Sequence, residues 1–457
     1  MRAKAYPRYK SSGVEWLGDV PEDWGVKRGR FVMSVNPPAP QLRALDQEDE
    51  VSFVPMESVG VQGGLSLEQR RVLADISSGY TEFQDGDVVV AKITPCFENG
   101  KAALARDLLN GAAYGTTELH VLRAGPVTDR SFLFYVVISD TFRKLGESEM
   151  FGAGGQKRVP PEFCKDFRTP LPPLAEQRAI AVFLDRETGR IDRLVAKKRE
   201  LVERLKEKST ALISHTVTHG LPPAAAAIAG LPGNAPLRPS GIDWIGVVPT
   251  RWEVTKMCQV CESIRDGSHN PPDRAAGIHR LLSVRNIQEG KFTILSDDRT
   301  MTAEDYADLQ RSYTVEEGDI VLAIVGATTG KSAIVGKLEN VTVQRSVAIL
   351  RPNRRAISSS FLHYVIQSPV VQTEIELTVF KYSAQPGIYL EDIGRLPVVR
   401  PPLPEQIAIS SYLDLETAKL DTLVAKVEEA VERLQEYRTA LITAAVTGKI
   451  DVRKATA

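Results

Sequence analysis

The sequence is an internal duplication with a period of about half its length. Residues 12–27 recur at 240–255, and residues 172–218 recur at 401–447 with about 28 of 47 positions identical. Both pairs keep nearly the same offset, so the repeat extends over the whole half. The chain therefore has to fold as two similar halves in tandem.

The two copies diverge unevenly along their length. Their ends match closely, whereas residues 28–169 and 256–398 share little beyond spacing. This pattern is expected if a common scaffold supports two surfaces that recognise different things. Neutral drift after duplication in a scaffold protein is the alternative.

Length and composition set broad limits. A chain of 457 residues is too long for one ordinary core and favours about three domains, or fewer with long connecting elements. Hydrophobic residues at 43% and charged residues at 25% are typical of globular proteins. The net charge of −1 gives no reason to expect nucleic acid, so a basic groove would have to be built locally.

Three further features concern the compartment. Four cysteines in so long a chain argue against a disulfide framework and favour reduced thiols. No apolar run approaches the roughly 20 residues that span a bilayer, and the first residues lack the apolar segment of a secretory signal. We expect a cytoplasmic protein.

Each diverged half is predicted to be rich in strands. Apolar, β-branched runs such as VSFVPM, GDVVVAKI and LHVLRA alternate with turn signals such as ENG and EEGD, and the second copy has matching runs in LLSVRNI, GDIVLAIV and VAILRP. Short helical stretches follow near residues 131–145 and 360–375. The sequence therefore predicts two tandem α+β domains.

The repeated segments predict helices. Prolines at 172–173 and 401–402 end a strand, a helix begins near Glu176 or Glu405, and a second helical run follows Thr188 or Thr417 with apolar residues at heptad spacing. A polar helix with one apolar stripe needs a partner, so we expect an antiparallel two-helix coiled coil with pseudo-two-fold symmetry. The predicted packing residues are Ile191, Leu194, Leu201, Leu205, Leu212, Leu420, Leu423, Val427, Leu434 and Leu441.

These signals divide the chain into five segments. The Ala- and Pro-rich stretch at 219–238 reads as a linker. A helical run of about 27 residues spans roughly 40 Å, comparable with the about 34–36 Å between DNA half-sites one turn apart. The predicted segments are residues 1–170 (first domain), 171–218 (first helical region), 219–238 (linker), 239–399 (second domain) and 400–450 (second helical region).

Several motifs resemble active-site signatures without completing them. The Asn36-Pro37-Pro38 turn lacks the aromatic residue and the glycine-rich loop of amino-methyltransferases. The Gly326–Ser332 segment has three residues between its glycines where a phosphate loop needs four, and is predicted to be a strand-turn-strand. Cys258 and Cys261 lack the second ligand pair of a zinc site. We therefore predict no catalytic residue and no metal site.

The repeated motifs resemble those of a known family. PPLAEQRAI and PPLPEQIAI, each followed by D-x-E-T, a charged helical run and TALISHTVT or TALITAAVT, are similar to the two conserved regions of type I restriction-modification specificity subunits. SGVEWLGDVPEDW, AKITPCFENGK and GDIVLAIVGATTGK resemble recurring segments of that family's recognition domains. The resemblance covers nearly all of the chain.

The resemblance implies a non-catalytic subunit of a type I site-specific deoxyribonuclease and adenine-N6 DNA methyltransferase complex. Each strand-rich domain would be a target-recognition domain that reads one half of a bipartite site in double-stranded DNA. The helices would set the spacing and dock two modification (methyltransferase) subunits and, through them, restriction (translocase and nuclease) subunits. No cofactor is expected on this chain; S-adenosylmethionine, ATP and Mg²⁺ are expected in the partner subunits.

Loops between strands are the natural carriers of DNA contacts, because they combine donors with backbone freedom. The candidates in the first half lie on the 91–101 hairpin and after the glycine-rich 152–155 loop. Those in the second half lie on the matching hairpin, after that hairpin, and in the segment that matches the glycine-rich loop. The candidates are Lys92, Thr94, Asn99, Lys101, Gln156, Lys157 and Arg158, and Thr328, Thr329, Lys331, Gln344, Arg345, Lys381, Tyr382 and Gln385.

Two other function classes stay open at this point. One is a self-contained enzyme, such as a fused methyltransferase or nuclease, against which the missing cofactor loop and the missing acidic metal motif count. The other is a scaffold whose diverged domains bind something other than DNA. Methyl transfer by the isolated chain would indicate the first, and absence of DNA binding by the assembled complex would indicate the second.

Overall fold

The computed structural model describes residues 5–453 except 62, 77–78, 154, 234, 289 and 382–386. The chain forms two compact units: unit 1 comprises Met1–Arg199 and Glu428–Ala457, and unit 2 comprises Glu200–Val427. Each unit contains one strand-rich domain and one part of each of two long helices. No helix among the described residues is long and apolar enough to cross a membrane.

Unit 1 begins with strands and ends on a long helix. Its helices are α1 (Arg130–Val137), α2 (Asp140–Ser148), α3 (Pro161–Asp166) and the start of α4 (Leu174–His219). Its strands are β1 (Tyr9–Ser11), β2 (Asp19–Pro21), β3 (Gly25–Arg28), β4 (Met33–Val35), β5 (Glu50–Val54), β6 (Arg70–Val72), β7 (Thr81–Gln84), β8 (Val88–Ala91), β9 (Ala102–Leu104), β10 (Ala112–Gly115), β11 (Leu119–Ala124) and β12 (Arg168–Leu171).

Two four-stranded sheets form the strand-rich domain of unit 1, in the orders β6-β5-β10-β7 and β4-β11-β8-β9. The β5 and β10 strands are parallel, whereas β8 pairs antiparallel with both β9 and β11. Side chains of alternating residues face opposite sides of a strand. Accordingly Val89 belongs to a core with Phe83 and Leu119, while Val88 and Val90 belong to the core that contains α1 and α4.

Unit 2 repeats this plan. Its helices are α5 (Pro223–Ile228), α6 (Met257–Val260), α7 (Ala303–Gln310), α8 (Ser359–Gln367), α9 (Pro369–Lys381), α10 (Leu390–Arg395) and the start of α11 (Leu403–Val446). Its strands are β13 (Leu237–Pro239), β14 (Val247–Pro249), β15 (Glu253–Lys256), β16 (Cys261–Asp266), β17 (His279–Leu282), β18 (Ile287–Gln288), β19 (Lys291–Phe292), β20 (Arg299–Met301), β21 (Ile320–Ala323), β22 (Ser332–Ile334), β23 (Val341–Val343), β24 (Val347–Pro352) and β25 (Pro397–Arg400).

The sheets of unit 2 correspond to those of unit 1. Its larger sheet has the order β16-β24-β21-β22-β19-β18 and its smaller sheet the order β20-β17-β23, in which β17 and β23 are parallel as β5 and β10 are. The six predicted apolar runs all contain a strand: β5, β8 and β11 in unit 1, and β17, β21 and β24 in unit 2. The predicted α+β class is confirmed.

Each long helix is continuous, which corrects the prediction of two successive helical runs. The α4 helix has 46 residues and α11 has 44. Thr188 and Thr417, where the break was expected, lie inside the helices, and their hydroxyls donate to the carbonyls of Leu184 and Leu413, both at 2.7 Å. A threonine that bonds back within the helix does not end it.

The two long helices pack on each other within each unit. In unit 1, Ile191 of α4 shares a core with Leu441 and Ile442 of α11, and Arg438 Nε donates to Asp192 Oδ1 at 2.9 Å. In unit 2, Val217 of α4 shares a core with Ile409 and Leu413 of α11. The early part of each helix thus meets the late part of the other, as the predicted antiparallel coiled coil requires.

Three of the predicted coiled-coil residues do not pack. Leu194, Leu201 and Leu423 expose 42%, 44% and 48% of their surface, whereas Val195 and Val202, one position later, are buried. The apolar stripe of each helix is wider than the surface that contacts the partner helix, and these three predicted positions lie on the side of the stripe that faces away from that helix. Among the other predicted packing residues, Ile191, Leu420 and Leu441 are buried, and Leu205, Leu212, Val427 and Leu434 are half-buried.

A buried glutamine joins each strand-rich domain to its long helix. Gln177 Nε2 donates to the carbonyls of Val127 at 3.0 Å and Pro172 at 2.9 Å, and its Oε1 accepts from the Asp129 amide at 2.7 Å. Gln406 makes the matching three bonds in unit 2, to Ala356, Pro401 and Ser358. These contacts explain the repeated P-P-L-x-E-Q motif, because a glutamine can satisfy two carbonyls and one amide at once.

A tyrosine and an aspartate form a second junction. Tyr135 of α1 donates to Asp185 of α4 at 2.6 Å, and Tyr364 of α8 donates to Asp414 of α11 at 2.7 Å. These residues come from the repeated F-L-x-Y and D-x-E-T motifs. Two buried anchors per unit therefore hold each sheet pair at a defined orientation on the helix that follows it.

Candidate nucleic-acid interface

In unit 1 the two predicted DNA-contacting loops lie side by side. The Thr94 amide donates to the Lys157 carbonyl at 3.0 Å, and the Lys157 amide donates to Thr94 Oγ1 at 3.0 Å. The Val159 amide donates to the Lys92 carbonyl at 2.8 Å. The 91–101 hairpin and residues 156–158, predicted from separate parts of the sequence, therefore form one surface.

Three of the first-half candidates hold this surface together. Thr94 Oγ1 donates to the Gly155 carbonyl at 2.9 Å, and Lys101 Nζ donates to the Met56 carbonyl at 2.8 Å. Arg158 forms a bidentate ion pair with Glu118, and the shortest nitrogen–oxygen distance is 2.7 Å. The hydrogen bond from Arg158 lowers the pKa of Glu118, so the pair stays ionised at neutral pH.

Three other first-half candidates are open to a ligand. Asn99, Gln156 and Lys157 are exposed, and their side chains make no hydrogen bond to any described residue. Lys92 is half-buried. An amide pair beside an ammonium group offers both kinds of contact that DNA recognition uses, because amides read base edges and ammonium groups bind phosphates.

The matching surface of unit 2 is built in the same register. Val325 pairs with Gly387, and the Ile388 amide donates to the Ile324 carbonyl at 3.0 Å, where unit 1 pairs Ile93 with Arg158. The described segment that follows residue 386 thus returns to the 324–331 hairpin. Of the candidates that precede this segment, Tyr382 and Gln385 lie outside the described residues, as does the side chain of Lys381.

The remaining second-half candidates lie on two turns. Thr329 Oγ1 donates to the Gly326 carbonyl at 2.7 Å within the β21–β22 hairpin, next to half-buried Thr328 and exposed Lys331. Gln344 and Arg345 lie between β23 and β24, where the Arg345 amide donates to the Ser268 carbonyl at 3.0 Å. The Arg345 side chain is exposed, and Gln344 is half-buried.

A polar recess of about 920 Å³ adjoins the unit 2 hairpin. It lies between the hairpin, the strands β18 and β19, the end of α8 and the start of α9, and two predicted residues, Thr329 and Lys331, line it. Sequence reasoning missed its other polar lining, because these residues lie outside the hairpin loops. They are Gln288, Lys291, Thr293, Ser332, Gln367 and Gln372.

The motifs that resembled active sites are structural or isolated. Asn36 has a φ of 51°, and its Oδ1 accepts from the Val121 amide at 2.9 Å, as expected for a turn. Gly326–Lys331 joins β21 to β22, as predicted. All four cysteines are free, and the described residues contain no group of three or more His, Cys, Asp or Glu side chains that could hold a metal.

Comparison with known proteins gives one consistent result. A family model described as the type I restriction modification DNA specificity domain matches residues 249–433. The type I restriction enzyme EcoAI specificity subunit of Escherichia coli is 39% identical over 181 residues, which are 39% of this chain and 30% of that subunit. The match therefore covers less than a third of the length of that relative.

Other similarities cover nearly the whole chain. The type I restriction enzyme MjaVIII specificity subunit of Methanocaldococcus jannaschii is 24% identical over 447 residues, 95% of this chain and 94% of that subunit. A chain from a structure of complex assembly and conformational transition of the type I R-M system aligns with a TM-score of 0.71 at 18% identity, covering 94% of this chain and 99% of that chain. The fold of that chain is shared throughout.

Proposed function

We propose that this chain, which belongs to the family of type I restriction-modification DNA specificity subunits, selects the DNA target of a multisubunit restriction-modification complex. One observation carries the proposal: both units display, in the same register of the repeat, a loop surface with exposed hydrogen-bond donors and lysines. The scaffold beneath the two surfaces is repeated, whereas the residues on them differ.

Each recognition domain reads one block of a bipartite site in double-stranded DNA. Asn99 and Gln156 in unit 1 contact base edges, and Lys157 contacts a phosphate. Lys331 and Arg345 serve unit 2 in the same way. This division follows from chemistry, because phosphate contacts position a protein on DNA while contacts with base edges specify the sequence.

The long helices set the distance between the two blocks. They are continuous over 46 and 44 residues, with buried apolar contacts in both units. A continuous helix transmits length at 1.5 Å per residue. The spacer in the DNA target therefore depends on helix length, and a pseudo-two-fold arrangement of the two domains is part of the proposal.

The same helices dock the partner subunits. Leu194 and Leu201 are seven residues apart on α4, so they share a face, and both are exposed. Leu415 and Leu423 of α11 are also exposed, at 57% and 48%. Exposed apolar side chains grouped on one face of a helix mark a candidate protein–protein interface, whereas apolar side chains scattered singly do not. Two modification subunits bind here, and restriction subunits join through them.

The chemistry belongs to the partners in this proposal. The modification subunits bind S-adenosylmethionine and methylate adenine at N6, and the restriction subunits use ATP and Mg²⁺ for translocation and cleavage. The chain itself contributes recognition without catalysis and acts in the cytoplasm.

The decisive experiment is to co-express the chain with its modification subunit and to map methylated adenines across the host genome at single-base resolution. We expect a split motif, two short specific blocks around a fixed nonspecific gap. A stable complex that methylates nothing would contradict the proposal and favour a scaffold.

The role of the helices is tested by inserting seven residues into both α4 and α11. One heptad keeps the packing face and adds about 10 Å. The gap between the two blocks should lengthen while both blocks keep their sequence. An unchanged gap in a folded variant would exclude the helices as the spacer.

A further inference from the structure

The recess of unit 2 is polar at positions where unit 1 is not. Ser332 pairs with Leu322 in the same register in which Ala102 pairs with Val90, so the two positions are equivalent. The α8 sequence SFLHYVIQ aligns with SFLFYVVI in unit 1, which makes Gln367 equivalent to Ile138.

Two further pairs complete the comparison. His363 does not line the recess itself but lies beside Gly290, which does, and it is equivalent to Phe134 by the same alignment. Lys291 is equivalent to Gly64, because the residue after each of them, Phe292 or Leu65, pairs back with Ile287 or Val59. Unit 1 builds the same sheets with alanine, isoleucine, phenylalanine and glycine at these four positions. The polar side chains of unit 2 are therefore not required by the fold.

Some of these polar groups have no partner. Ser332 is 5% exposed, and its Oγ has no hydrogen-bond partner within the described residues, nor does Oγ1 of half-buried Thr293. A buried hydroxyl without a hydrogen-bond partner destabilises the folded state. Because both residues line the recess, a polar ligand placed there would supply the missing partners.

The recess has the charge and the donors for a nucleotide. Lys291 and Lys331 are exposed at its rim, and none of the described residues that line it is acidic. Gln288 is exposed and Gln367 half-exposed, and glutamine amides can pair with two atoms of an adenine edge at once. Its volume, about 920 Å³, lies within the about 300–1,000 Å³ of small-molecule sites.

One further glutamine of the recess, Gln372, is hydrogen-bonded within the protein. Gln372 Nε2 donates to the Gly330 carbonyl at 3.0 Å and to the Ile366 carbonyl at 2.7 Å. Gln372 is thus a positioning residue that ties α9 to the hairpin carrying Lys331.

We propose that this recess of unit 2 receives a nucleotide of the DNA target. Gln288 and Gln367 contact its base, the Ser332 and Thr293 hydroxyls hydrogen-bond its polar atoms, and Lys291 and Lys331 bind the adjoining phosphates. The inference rests on the proposed function, whose DNA-binding surface it extends from the hairpin into the recess. Base discrimination in one of the two blocks then depends on Gln288 and Gln367.

The main test gives unit 2 the residues of unit 1. The complex of the full chain with its modification subunit, carrying Ser332→Ala and Gln367→Ile, is compared with wild type by methylation mapping and by affinity for oligonucleotides varied at every position of both blocks. We expect one or two positions of one block to lose their base preference, with an affinity for the cognate site about tenfold lower or more. The other block should keep its preference.

Two results would overturn the proposal. One is an unchanged motif with unchanged affinity, and the other is an equal loss of preference in both blocks. A wild-type complex that methylates no split motif would refute the proposed function itself. This outcome is distinguishable from failure of the present proposal, because it is seen in the wild-type complex before any residue is substituted.

Ser332→Ala alone separates a ligand contact from a structural role. Because the hydroxyl has no described protein partner, its removal should leave Tm unchanged or raise it while the affinity for cognate DNA falls. A fall in Tm with unchanged DNA affinity would assign the hydroxyl a structural role and contradict the proposal.

The lysines have their own control. Lys291→Ala should weaken binding to all sequences alike and reduce the salt dependence of binding by about one phosphate contact. Lys337 is an exposed lysine of the same unit that does not line the recess, so Lys337→Ala should bind as wild type does. Equal salt slopes for the Lys291→Ala variant and wild type would contradict the phosphate contact.

Discussion

The junctions between the recognition domains and the long helices differ between the units in one informative way. The buried glutamines, Gln177 and Gln406, make the same three hydrogen bonds. The glutamates that precede them do not share partners. Glu176 accepts from the Tyr6 hydroxyl at 2.7 Å, whereas Glu405 binds the Arg251 guanidinium at 2.6 Å and accepts from Trp252 Nε1 at 3.1 Å.

The difference extends to the repeated tryptophans. Trp252 Nε1 has Glu405 as its partner, whereas Trp24 Nε1, at the equivalent position, is buried without a partner among the described residues. The glutamine bonds only to backbone groups, which are present whatever the neighbouring side chains are. The glutamate bonds to side chains, so its network changed as the copies diverged. Contacts to the backbone therefore kept the two junctions alike.

The largest effect is expected from removing the glutamines. Gln177→Ala and Gln406→Ala each leave one amide and two carbonyls without partners, which should lower the free energy of unfolding by about 3 kcal/mol or more in either unit. Calorimetric unfolding measures the loss, and Gln69→Ala, at an exposed position, should change it by less than about 0.5 kcal/mol. Losses that differ widely between the two variants would break the equivalence of the junctions.

Neutralising the glutamates should distinguish the two units. Glu405→Gln removes the counter-charge that is hydrogen-bonded to the Arg251 guanidinium and should cost about 2 kcal/mol. Glu176 accepts from the neutral Tyr6 hydroxyl and interacts with the Arg453 charge electrostatically, so Glu176→Gln should cost less, about 1 kcal/mol. The comparison is made by urea unfolding of the two variants beside wild type. If both substitutions cost the same, the ion pair of unit 2 adds nothing to its junction.

The smallest effect concerns acid stability. Burial lowers the pKa of His363, and unit 1 has Phe134 at that position. The unfolded chain then takes up a proton more readily than the folded one. The free energy of unfolding is therefore unaffected by His363 above about pH 6.5 and falls as the pH drops below that value, with a limiting slope of about 1.4 kcal/mol per pH unit. His363→Phe should remove this contribution.

The measurement is the free energy of unfolding between pH 7.5 and 5.5 for wild type and His363→Phe. His120 of unit 1, whose pKa burial also lowers, is present in both proteins, so acid sensitivity of unit 1 should persist in the variant. Parallel pH profiles for unit 2 would show that His363 takes up no proton on unfolding.

Much of the fold was predictable because its signals are local. The duplication, the six apolar strands and the turn at Gly326–Lys331 follow from residue order, since a run of β-branched residues between turn signals forms a strand in most contexts. The motifs of the repeated ends also carried the family resemblance, because they recur at a fixed spacing.

Tertiary structure alone decided which of the possible surfaces are used. Periodicity placed both Leu194 and Val195 on the apolar stripe of α4, but only the partner surface determines which one is buried. The sequence predicted only that Gln177 lies at the start of a helix. Its role depends on hydrogen bonds to the carbonyls of Val127 and Pro172, which only the folded chain brings to it. The recess likewise gathers Gln288, Lys291 and Gln367 from different elements, and no local pattern records their proximity.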